Sequence, residues 1–338
     1  MIARKVIIIG AGVSASSGIP VAKDLLKNAI LKQGEHRQKS KEILKALEYL
    51  YPDFDPRYKS FPNIEDFMNL LEMARVFNSE DYVESSLWPK ERVARVRDIV
   101  LSVISEYIWS FSTRPEGPSQ SLRDYLSLYV SHKDVIVTFN WDLLIEQAIE
   151  GLEKPPKVEY QYSRDSERKT LVLLKPHGSV NWFDKESDAT IGHLDGKDLD
   201  SRIKLIDFSE LLHSRDTFNT LPLLVAPLAN KDFSSHRVLT ETWTSVYRAV
   251  SDATSLYILG YSLPKEDQFS RFVLRRALRQ NIIRINKKEK TGLRVTVVNP
   301  DENTEGTFAR LVDREEVEFR FHRAYFDDYV QALQRGSG

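Results

Sequence analysis

The chain has 338 residues, of which 41% are hydrophobic and 29% charged, proportions that fit a globular protein able to bury a large core. Its formal net charge of −1 excludes a general attraction to nucleic acid or to an anionic membrane, so any such contact requires a local patch. The sequence contains no cysteine, which excludes disulfides, thiol catalysis and a cysteine-ligated zinc site.

The first predicted element is a strand over Val6 to Ile9, a β-branched run typical of a strand buried on both faces of a parallel sheet. Gly10 and Gly12 follow and allow a tight turn, and Pro20 is suited to open the next helix. A glycine turn before a helix can bind phosphate, and residues 10–15 fit a loose dinucleotide fingerprint with alanine in the third glycine position. The same residues also fit a simple strand-to-helix turn.

Residues 21–131 are predicted to be almost wholly helical. Apolar residues recur with helical period over 21–50, from Asn63 onward, over 90–111 and over 119–131, and Asn63 is a plausible N-cap. A dehydrogenase would instead show a second strand that ends in an acidic residue about 20 residues further along the chain. The sequence shows no such strand here, which argues against a hydride-transfer enzyme.

Beyond residue 131 the pattern alternates between strands and helices. Strands are predicted over 134–140, 157–162, 170–174, 221–225, 255–259, 293–298 and 317–321. Helices are predicted over 143–152 and 234–252, from Pro264 to about Asn281, and at the end of the chain. The polar stretch 184–202 is typical of an exposed loop or a small polar insertion.

Polar residues follow the predicted strands, at the position where an open parallel sheet binds its ligands. They are Gly10 to Ser17, Asn140 with Asp142, Gly260 with Ser262, and Asn299, and His177 lies in a Pro-His-Gly turn beside them. Each has an ordinary structural explanation: a buried histidine, a helix cap at Asn140, or a turn at Asn299. Their joint order along the chain is the informative feature.

That order resembles the sirtuin superfamily, the silent-information-regulator domains. The shared motifs are Gly-Ala-Gly-Val-Ser-Ala-Ser-Ser-Gly-Ile-Pro at 10–20, Thr-Phe-Asn-Trp-Asp at 138–142, His-Gly at 177–178, Gly-Tyr-Ser-Leu at 260–263 and Val-Asn-Pro at 298–300. The resemblance implies an α/β fold: a Rossmann-like parallel sheet with helices on both faces and a large helical insertion after the first strand. It also implies a single domain over 1–335, with the insertion at about 21–131 and an NAD-binding sheet formed by 4–20 and 132–325.

Two departures from the lysine-deacylating sirtuins narrow the expected activity. Those enzymes carry Asp-Phe-Arg after Gly-Ile-Pro, whereas this chain has Val21-Ala22-Lys23. They also carry a four-cysteine zinc module, which is impossible here, and His193, His213 and His236 lack ligand spacing, so no metal is expected. The chain therefore resembles the bacterial sirtuin-like branch that hydrolyses NAD, often in abortive anti-phage defence.

The resemblance assigns roles for an NAD glycohydrolase that uses NAD as its substrate and releases nicotinamide and ADP-ribose. His177 would be the general base near the ribose hydroxyls, and Asn140 would hold the attacking water or a ribose hydroxyl. Asp142 would bind the nicotinamide amide or order its loop, and it equally fits a first-turn helix charge. The remaining NAD contacts would be Gly10, Ala11, Gly12 and Ser14 at the pyrophosphate, Gly260 and Ser262 at phosphate or ribose, Asn299 at the adenosine ribose, Ile19 at the nicotinamide, and Thr138.

Other functions stay open on the sequence. One is an NAD- or ADP-ribose-binding regulatory or assembly subunit without turnover, and another is deacylation or ADP-ribosyl transfer, for which no peptide groove is evident. The helical block 21–131 is expected to mediate homo-oligomerisation or docking of a regulatory protein such as a helicase or Argonaute. A basic series, Arg271, Arg275, Arg276, Arg279, Arg284, Lys287, Lys288 and Lys290, fits a solvated helix face or a contact with nucleic acid or an acidic partner.

We expect a cytoplasmic protein without membrane contact. No apolar run approaches the roughly 20 residues of a membrane span. Met1 also leads directly into the first predicted strand, which leaves no room for a signal peptide.

Overall fold

A computed structural model describes most of the chain and divides it into two compact units. The described residues are 5–34, 37–55, 61–77, 88–112, 114–163, 170–184, 196–198, 203–206, 221–225, 237–286, 292–312 and 316–336. The first unit, here called the sheet unit, comprises Met1–Gly18, Arg114–Ser179 and Asp232–Gly338. The second, called the helical unit, comprises Ile19–Thr113 and Val180–Lys231.

Ten strands and eleven helices are described. The strands are β1 (Lys5–Ile9), β2 (Val135–Thr138), β3 (Val158–Glu159), β4 (Leu171–Leu174), β5 (Trp182–Asp184), β6 (Gly196–Asp198), β7 (Ile203–Ile206), β8 (Ser255–Leu259), β9 (Leu293–Val298) and β10 (Val317–His322). The helices are α1 (Ala11–Ala15), α2 (Ala22–Gln33), α3 (Gln38–Leu50), α4 (Ile64–Phe77), α5 (Lys90–Ser112), α6 (Gln120–Tyr129), α7 (Leu144–Glu150), α8 (Arg237–Asp252), α9 (Gln268–Asn286), α10 (Asn303–Ala309) and α11 (Phe326–Gln334). No helix within the described ranges is both long and apolar enough to cross a bilayer.

The sheet unit contains a seven-stranded parallel sheet in the order β10-β9-β8-β1-β2-β4-β3. Val6 to Ile9 in β1 are fully or almost fully buried, as their β-branched run predicts for a central strand. Helices flank the sheet: α8 packs against α9, and α6 packs against α7 and α11. The Rossmann-like parallel fold expected from the sequence is confirmed.

The strand order creates a switch point between β1 and β8. From β1 the chain continues to β2 and β4 on one side, and it then returns to β8 on the other side of β1. Ligands of open α/β sheets bind in the crevice at the carboxyl ends of strands where the order reverses. The residues that follow β1, β2 and β8 are therefore the ones on which a site can be built.

The helical unit packs α2, α3 and α4 against α5. Asn63 caps α4 as expected, because its Oδ1 accepts the Glu65 N–H at 3.1 Å. The regular elements described between residues 21 and 131 are helices, as expected, but the unit boundary falls elsewhere. Helix α6, capped by Ser119, packs on α7 and α11 and belongs to the sheet unit. The single-domain organisation of 1–335 stays a prediction.

The region expected to be a loop or polar insertion contains β-structure instead. Strand β6 lies within 184–202 and pairs with β7, which also pairs with β5, in a three-stranded antiparallel sheet. Its short, polar Gly-Lys-Asp sequence has no apolar alternation that would predict a strand. Conversely, the strand expected over 221–225 is reduced to a single bridge at Leu224, with the Leu223 N–H donating to the Trp182 carbonyl at 2.7 Å.

Several boundaries also differ from the sequence pattern. The glycine turn leads directly into the short helix α1, so Pro20 lies ahead of α2 rather than at its first turn. Helix α10 was not predicted, and α9 continues past residue 281. Three expectations concern residues outside the described ranges: the basic residues Lys287, Lys288 and Lys290, the histidines His193, His213 and His236, and the start of the helix expected at 234.

Candidate active site

The ends of β1 and β8 are joined by direct contact between their glycine turns. The Gly12 N–H donates to the Gly260 carbonyl at 2.9 Å. A Cβ atom at Gly10 would lie 2.6 Å from Tyr261, and one at Gly12 would lie 2.9 Å from the Gly260 backbone. Gly260 itself has a φ of 59°, in the left-handed region. These three glycines are therefore required for the close approach of two backbones, whether or not a phosphate also binds there.

The first polar network joins α1 to the end of β2. The Asn140 side-chain amide donates from Nδ2 to the Gly10 carbonyl at 3.0 Å and to Ser14 Oγ at 2.8 Å. Ser14 Oγ in turn donates to Asp142 Oδ2 at 2.7 Å. Asp142 Oδ1 accepts the Leu144 N–H at the start of α7 at 3.1 Å. The structure thus brings together three residues predicted from two separate motifs: Ser14 from the first, and Asn140 and Asp142 from the second.

This network limits what each of its members can offer to a ligand. An asparagine amide has two N–H bonds, and the two acceptors of Asn140 use both, so a water or hydroxyl would meet its carbonyl oxygen. The carboxylate of Asp142 is held between α1 and α7, which favours its loop-ordering role. Its contact with nicotinamide stays a prediction.

Lys175 holds the loop that contains Asp142, and the sequence analysis did not identify it. Its side chain is 0% exposed, and its Nζ donates to the Asp142 carbonyl at 2.6 Å and to Glu146 Oε1 at 2.8 Å. It also begins the turn that presents His177, because the Gly178 N–H donates to the Lys175 carbonyl at 3.0 Å. A lysine at the end of a strand carries no sequence signal that it is buried, since lysine is usually exposed.

The second polar network is built around His177. Its Nε2 lies 3.3 Å from Asp267 Oδ2, and the two side chains are 11% and 6% exposed. The same carboxylate oxygen accepts the Ser270 hydroxyl at 2.5 Å and the Tyr261 hydroxyl at 3.2 Å. Asp267 also caps α9, since its Oδ1 accepts the Ser270 N–H at 3.3 Å. In the sequence an aspartate before a helix indicates only a cap, so the contact of Asp267 with His177 could not be predicted.

Aromatic rings connect the two networks. The Phe139 ring stacks on Tyr261 with centroids 4.3 Å apart, and it meets the His177 ring edge-on at 5.0 Å. The Trp243 ring also packs near this cluster, with its centroid 5.9 Å from that of His177. Because Phe139 precedes Asn140 in the chain, the imidazole network and the amide network lie at the same end of β2.

The remaining predicted residues have mainly structural contacts. Thr138 is buried and its Oγ1 accepts the Asn140 N–H at 3.1 Å. Asn299 Oδ1 accepts the Asp301 N–H at 2.9 Å, which is the turn expected as its structural alternative. Ser262 is exposed after Gly260 and Tyr261, and Ala11 is the first residue of α1. Ile19 belongs to the helical unit.

A metal site would require several acidic or imidazole side chains to converge. In the part of the chain that the structure describes, no cluster of three or more His, Asp or Glu side chains is suited to hold a metal ion. The charged groups near the candidate site are instead paired with each other, as Lys175 is with Glu146 and His177 with Asp267.

Comparison with known proteins gives a family match. A model of the SIR2-like domain family matches residues 134–307, just over half of the 338 residues, and the match includes Asn140, Asp142, His177 and Gly260. No curated protein matches the chain.

Solved structures of Sir2 proteins show remote similarity. A Sir2 complex with the inhibitor EX-527, 2'-O-acetyl-ADP-ribose and a deacetylated p53 peptide is 12% identical, with 99% of this chain and 94% of that chain covered and a TM-score of 0.39. Sir2Tm bound to a propionylated peptide is 14% identical, with coverage of 99% and 94% and a TM-score of 0.37. A Sir2 complex with a p53 peptide and NAD+ is 14% identical, with coverage of 98% and 92% and a TM-score of 0.41. By its sequence match, this chain belongs to the SIR2-like domain family.

Proposed function

We propose that the chain binds NAD at the ends of β1, β2 and β8 and hydrolyses it to nicotinamide and ADP-ribose. One observation carries the proposal: an asparagine amide and an aspartate-paired histidine are held at the same end of β2, beside the glycine turn. Membership of the SIR2-like family and the switch point between β1 and β8 support a nucleotide ligand at this edge.

The proposed reaction breaks the bond between C1' of the ribose and the nicotinamide nitrogen. The bonding electron pair leaves with nicotinamide, which becomes neutral, and an oxocarbenium-like ribose develops. A water oxygen then bonds to C1' and gives up one proton, so that NAD and water yield nicotinamide, ADP-ribose and a proton. Since nicotinamide is a good leaving group, the protein needs chiefly to position water, accept its proton and stabilise charge.

In this mechanism His177 accepts the proton. When Nε2–H donates to Asp267, the basic nitrogen of the neutral ring is Nδ1. The Asp267 carboxylate would then stabilise the imidazolium that forms, which makes it a positioning residue. Asn140 would accept a hydrogen bond from water or a ribose hydroxyl through its carbonyl oxygen.

The contacts proposed for NAD follow from which groups the fold leaves available. The N–H groups of Gly10, Gly12 and Val13 donate to backbone carbonyls within the protein, and the hydroxyl of Ser14 bonds Asn140 and Asp142. The Ala11 N–H would therefore meet the pyrophosphate, and Gly10, Gly12 and Ser14 would shape the turn around it. Asn299 would use its amide Nδ2 on the adenosine ribose, because its Oδ1 closes a turn. Gly260, Ser262, Thr138 and Ile19 keep the roles that the sequence resemblance implies.

A second function, binding of NAD or ADP-ribose without turnover, is favoured by the burial of His177. With 11% of its side chain exposed, the ring has little room to meet a water molecule. A partner or a bound ligand would then be needed to open access. This alternative makes the chain a regulatory or assembly subunit.

We further propose that NAD hydrolysis by this chain depletes NAD in anti-phage abortive defence and is held off until a partner triggers it. The helical unit would carry that control through homo-oligomerisation or a regulatory partner. One feature supports this role: Met73, Val76 and Phe77 are exposed with helical spacing on α4.

Nicotinamide release from NAD by the purified chain tests the proposed function. The variants are Asn140→Ala and His177→Ala, and the matched control is His132→Ala, which removes an exposed histidine. We expect release by the wild type and the control, and a loss of at least about 100-fold in both site variants. Equal release from all four proteins would refute the assigned roles. NAD binding without release in the wild type would identify the non-hydrolysing subunit.

A further inference from the structure

Helices α8 and α9 leave a groove of about 380 Å³ on the surface of the sheet unit. Four residues from each helix line it: Thr240, Trp243, Thr244 and Tyr247 from α8, and Phe269, Phe272, Val273 and Arg276 from α9. On both helices these residues have the spacing i, i+3, i+4, i+7, which is one face over two turns. The groove is thus the face of a helix pair that a third helix would complete.

The dimensions and lining of the groove fit a helix. Seven residues of helix rise roughly 10 Å, so the groove accommodates about two turns of a partner. Trp243 and Val273 are buried, and the Phe272 ring at the rim is 55% exposed. An exposed aromatic ring beside an apolar depression is typical of an interaction site.

The charge of α9 indicates the sign of the net charge that a molecule bound in the groove would carry. Its sequence contains five arginines and no acidic residue, in a chain whose net charge is −1. Arg271 and Arg284 donate to backbone carbonyls at either end of the helix. Arg275, Arg276 and Arg279 are exposed, and none of these three pairs with a carboxylate in the described part of the chain. A partner that brings carboxylates would neutralise them.

We infer that this groove is a docking site for an acidic amphipathic helix of a partner protein. Apolar side chains spaced i, i+3, i+4, i+7 would enter the groove, and carboxylates on the flanks would face Arg275, Arg276 and Arg279. A protein helix is favoured over single-stranded nucleic acid, because base stacking needs a free ring face, whereas Trp243 is buried and the Arg276 guanidinium lies over the Phe272 ring, 5.6 Å from its centroid. The inference does not depend on NAD hydrolysis.

Trp243 also gives such a partner a direct contact with the candidate site. It lines the groove, and its ring lies 5.9 Å from the His177 ring. Phe269, which also lines the groove, has its ring 4.9 Å from that of Trp243. A helix bound in the groove would therefore press on a side chain that packs against the proposed base.

The test uses the full chain and a displayed library of 16-residue amphipathic helices. Apolar residues are fixed at positions i, i+3, i+4 and i+7, and every other position varies among Glu, Lys and Gln, so that the library has no charge bias. The net charge of the enriched peptides is read, and the affinity of the best is measured by fluorescence anisotropy. A labelled 20-nucleotide oligothymidylate is titrated in parallel.

Two groove variants and one control locate the binding. Thr244→Trp fills the groove from an exposed position, and Arg276→Glu reverses the charge at its rim. Arg335→Glu makes the same charge change at an exposed residue after α11.

The inference predicts that the enriched peptides are acidic and that their binding weakens at least about tenfold in both groove variants. Their binding should also weaken as salt is added, and it should be unchanged in the control. No enrichment, enrichment of basic peptides, or affinity unaffected by Thr244→Trp would each overturn it. Oligothymidylate binding lost in Arg276→Glu, with no peptide enriched, would show a nucleic-acid surface instead.

Discussion

The imidazole of His177 and the carboxylate of Asp267 form a buried pair, with Nε2 and Oδ2 3.3 Å apart, although 90 residues separate them in the chain. The pair joins the turn after β4 to the amino terminus of α9. A carboxylate held against a histidine fixes the orientation of the ring and selects which of its nitrogens carries the proton. Substitutions in this pair should therefore change how His177 acts as the proposed base.

Replacing Asp267 by Asn should keep the helix cap and remove the counter-charge. Asparagine caps helices about as well as aspartate, so the unfolding midpoint should change little. The proton of the neutral His177 ring should then no longer be held on Nε2, and kcat/KM should fall. Nitrogen chemical shifts of the His177 ring in the unliganded protein report this change of tautomer even if the chain hydrolyses no NAD.

Ser270→Ala is the matched control for that variant. It removes a hydrogen bond to the same carboxylate oxygen and leaves the charge in place. The His177 tautomer should change clearly less than in Asp267→Asn. Identical ring nitrogen shifts for wild type and Asp267→Asn would show that Asp267 is only a helix cap.

The contact between the glycine turns predicts a large cost for a single methyl group. Gly12→Ala places a Cβ atom 2.9 Å from the Gly260 backbone, which cannot move aside as a flexible side chain would. We expect a loss of about 1–3 kcal/mol in the free energy of unfolding, measured with urea. Gly306→Ala is the control: its Cβ would meet only the Arg310 guanidinium at 3.4 Å, and alanine in helix α10 should stabilise by up to about 1 kcal/mol. Equal effects of the two variants would contradict the tight packing.

Lys175 should be strongly required for folding because it is a buried charge with a paired acid. Lys175→Met leaves the Glu146 carboxylate without its cation and should destabilise the protein by about 3–5 kcal/mol. The double variant Lys175→Met, Glu146→Leu removes both charges and should be less destabilised than Lys175→Met alone. Urea unfolding of the wild type, Lys175→Met, Glu146→Leu and the double variant completes the cycle, and additive losses would mean that the two charges do not interact.

His322 should make stability depend on pH. Burial, and secondarily Arg320, lower the pKa of His322 below its usual value of 6.5. A histidine whose folded pKa is depressed contributes stability that is fully present above the unfolded pKa and is lost as the pH falls through the folded pKa. His322→Gln should therefore show a smaller loss of unfolding free energy between about pH 8 and pH 5 than the wild type. A larger loss in the variant would reverse the assigned sign.

The exposed apolar residues of α4 predict an effect on assembly. Met73→Glu with Phe77→Glu should shift the chain toward smaller species in sedimentation velocity, because charges would replace an apolar contact. Lys41→Glu, at an exposed position of α3, alters charge without removing apolar surface and should leave the assembly state as it is. Unchanged sedimentation of the double variant would count against a role of this stripe in oligomerisation.

By itself the sequence determined the elements whose signal is local. The apolar run of β1, the helical periods of α3 to α5 and the cap Asn63 are formed by residues a few positions apart, so their pattern predicts them. The order of polar residues after strands also identified Ser14, Asn140, Asp142 and His177 as candidates.

The tertiary structure alone decided which of those residues meet. Asn140 bonds Ser14 across 126 residues, and Asp267 reaches His177 only because the strand order brings the start of α9 beside the turn after β4. Sequence periodicity indicates that a side chain is buried but not which distant group it contacts. The sequence alone therefore indicates no more than a helix cap at Asp267 and a surface lysine at Lys175. Strand β6 was missed for the same reason, since its polar residues form a strand only through their pairing with β7.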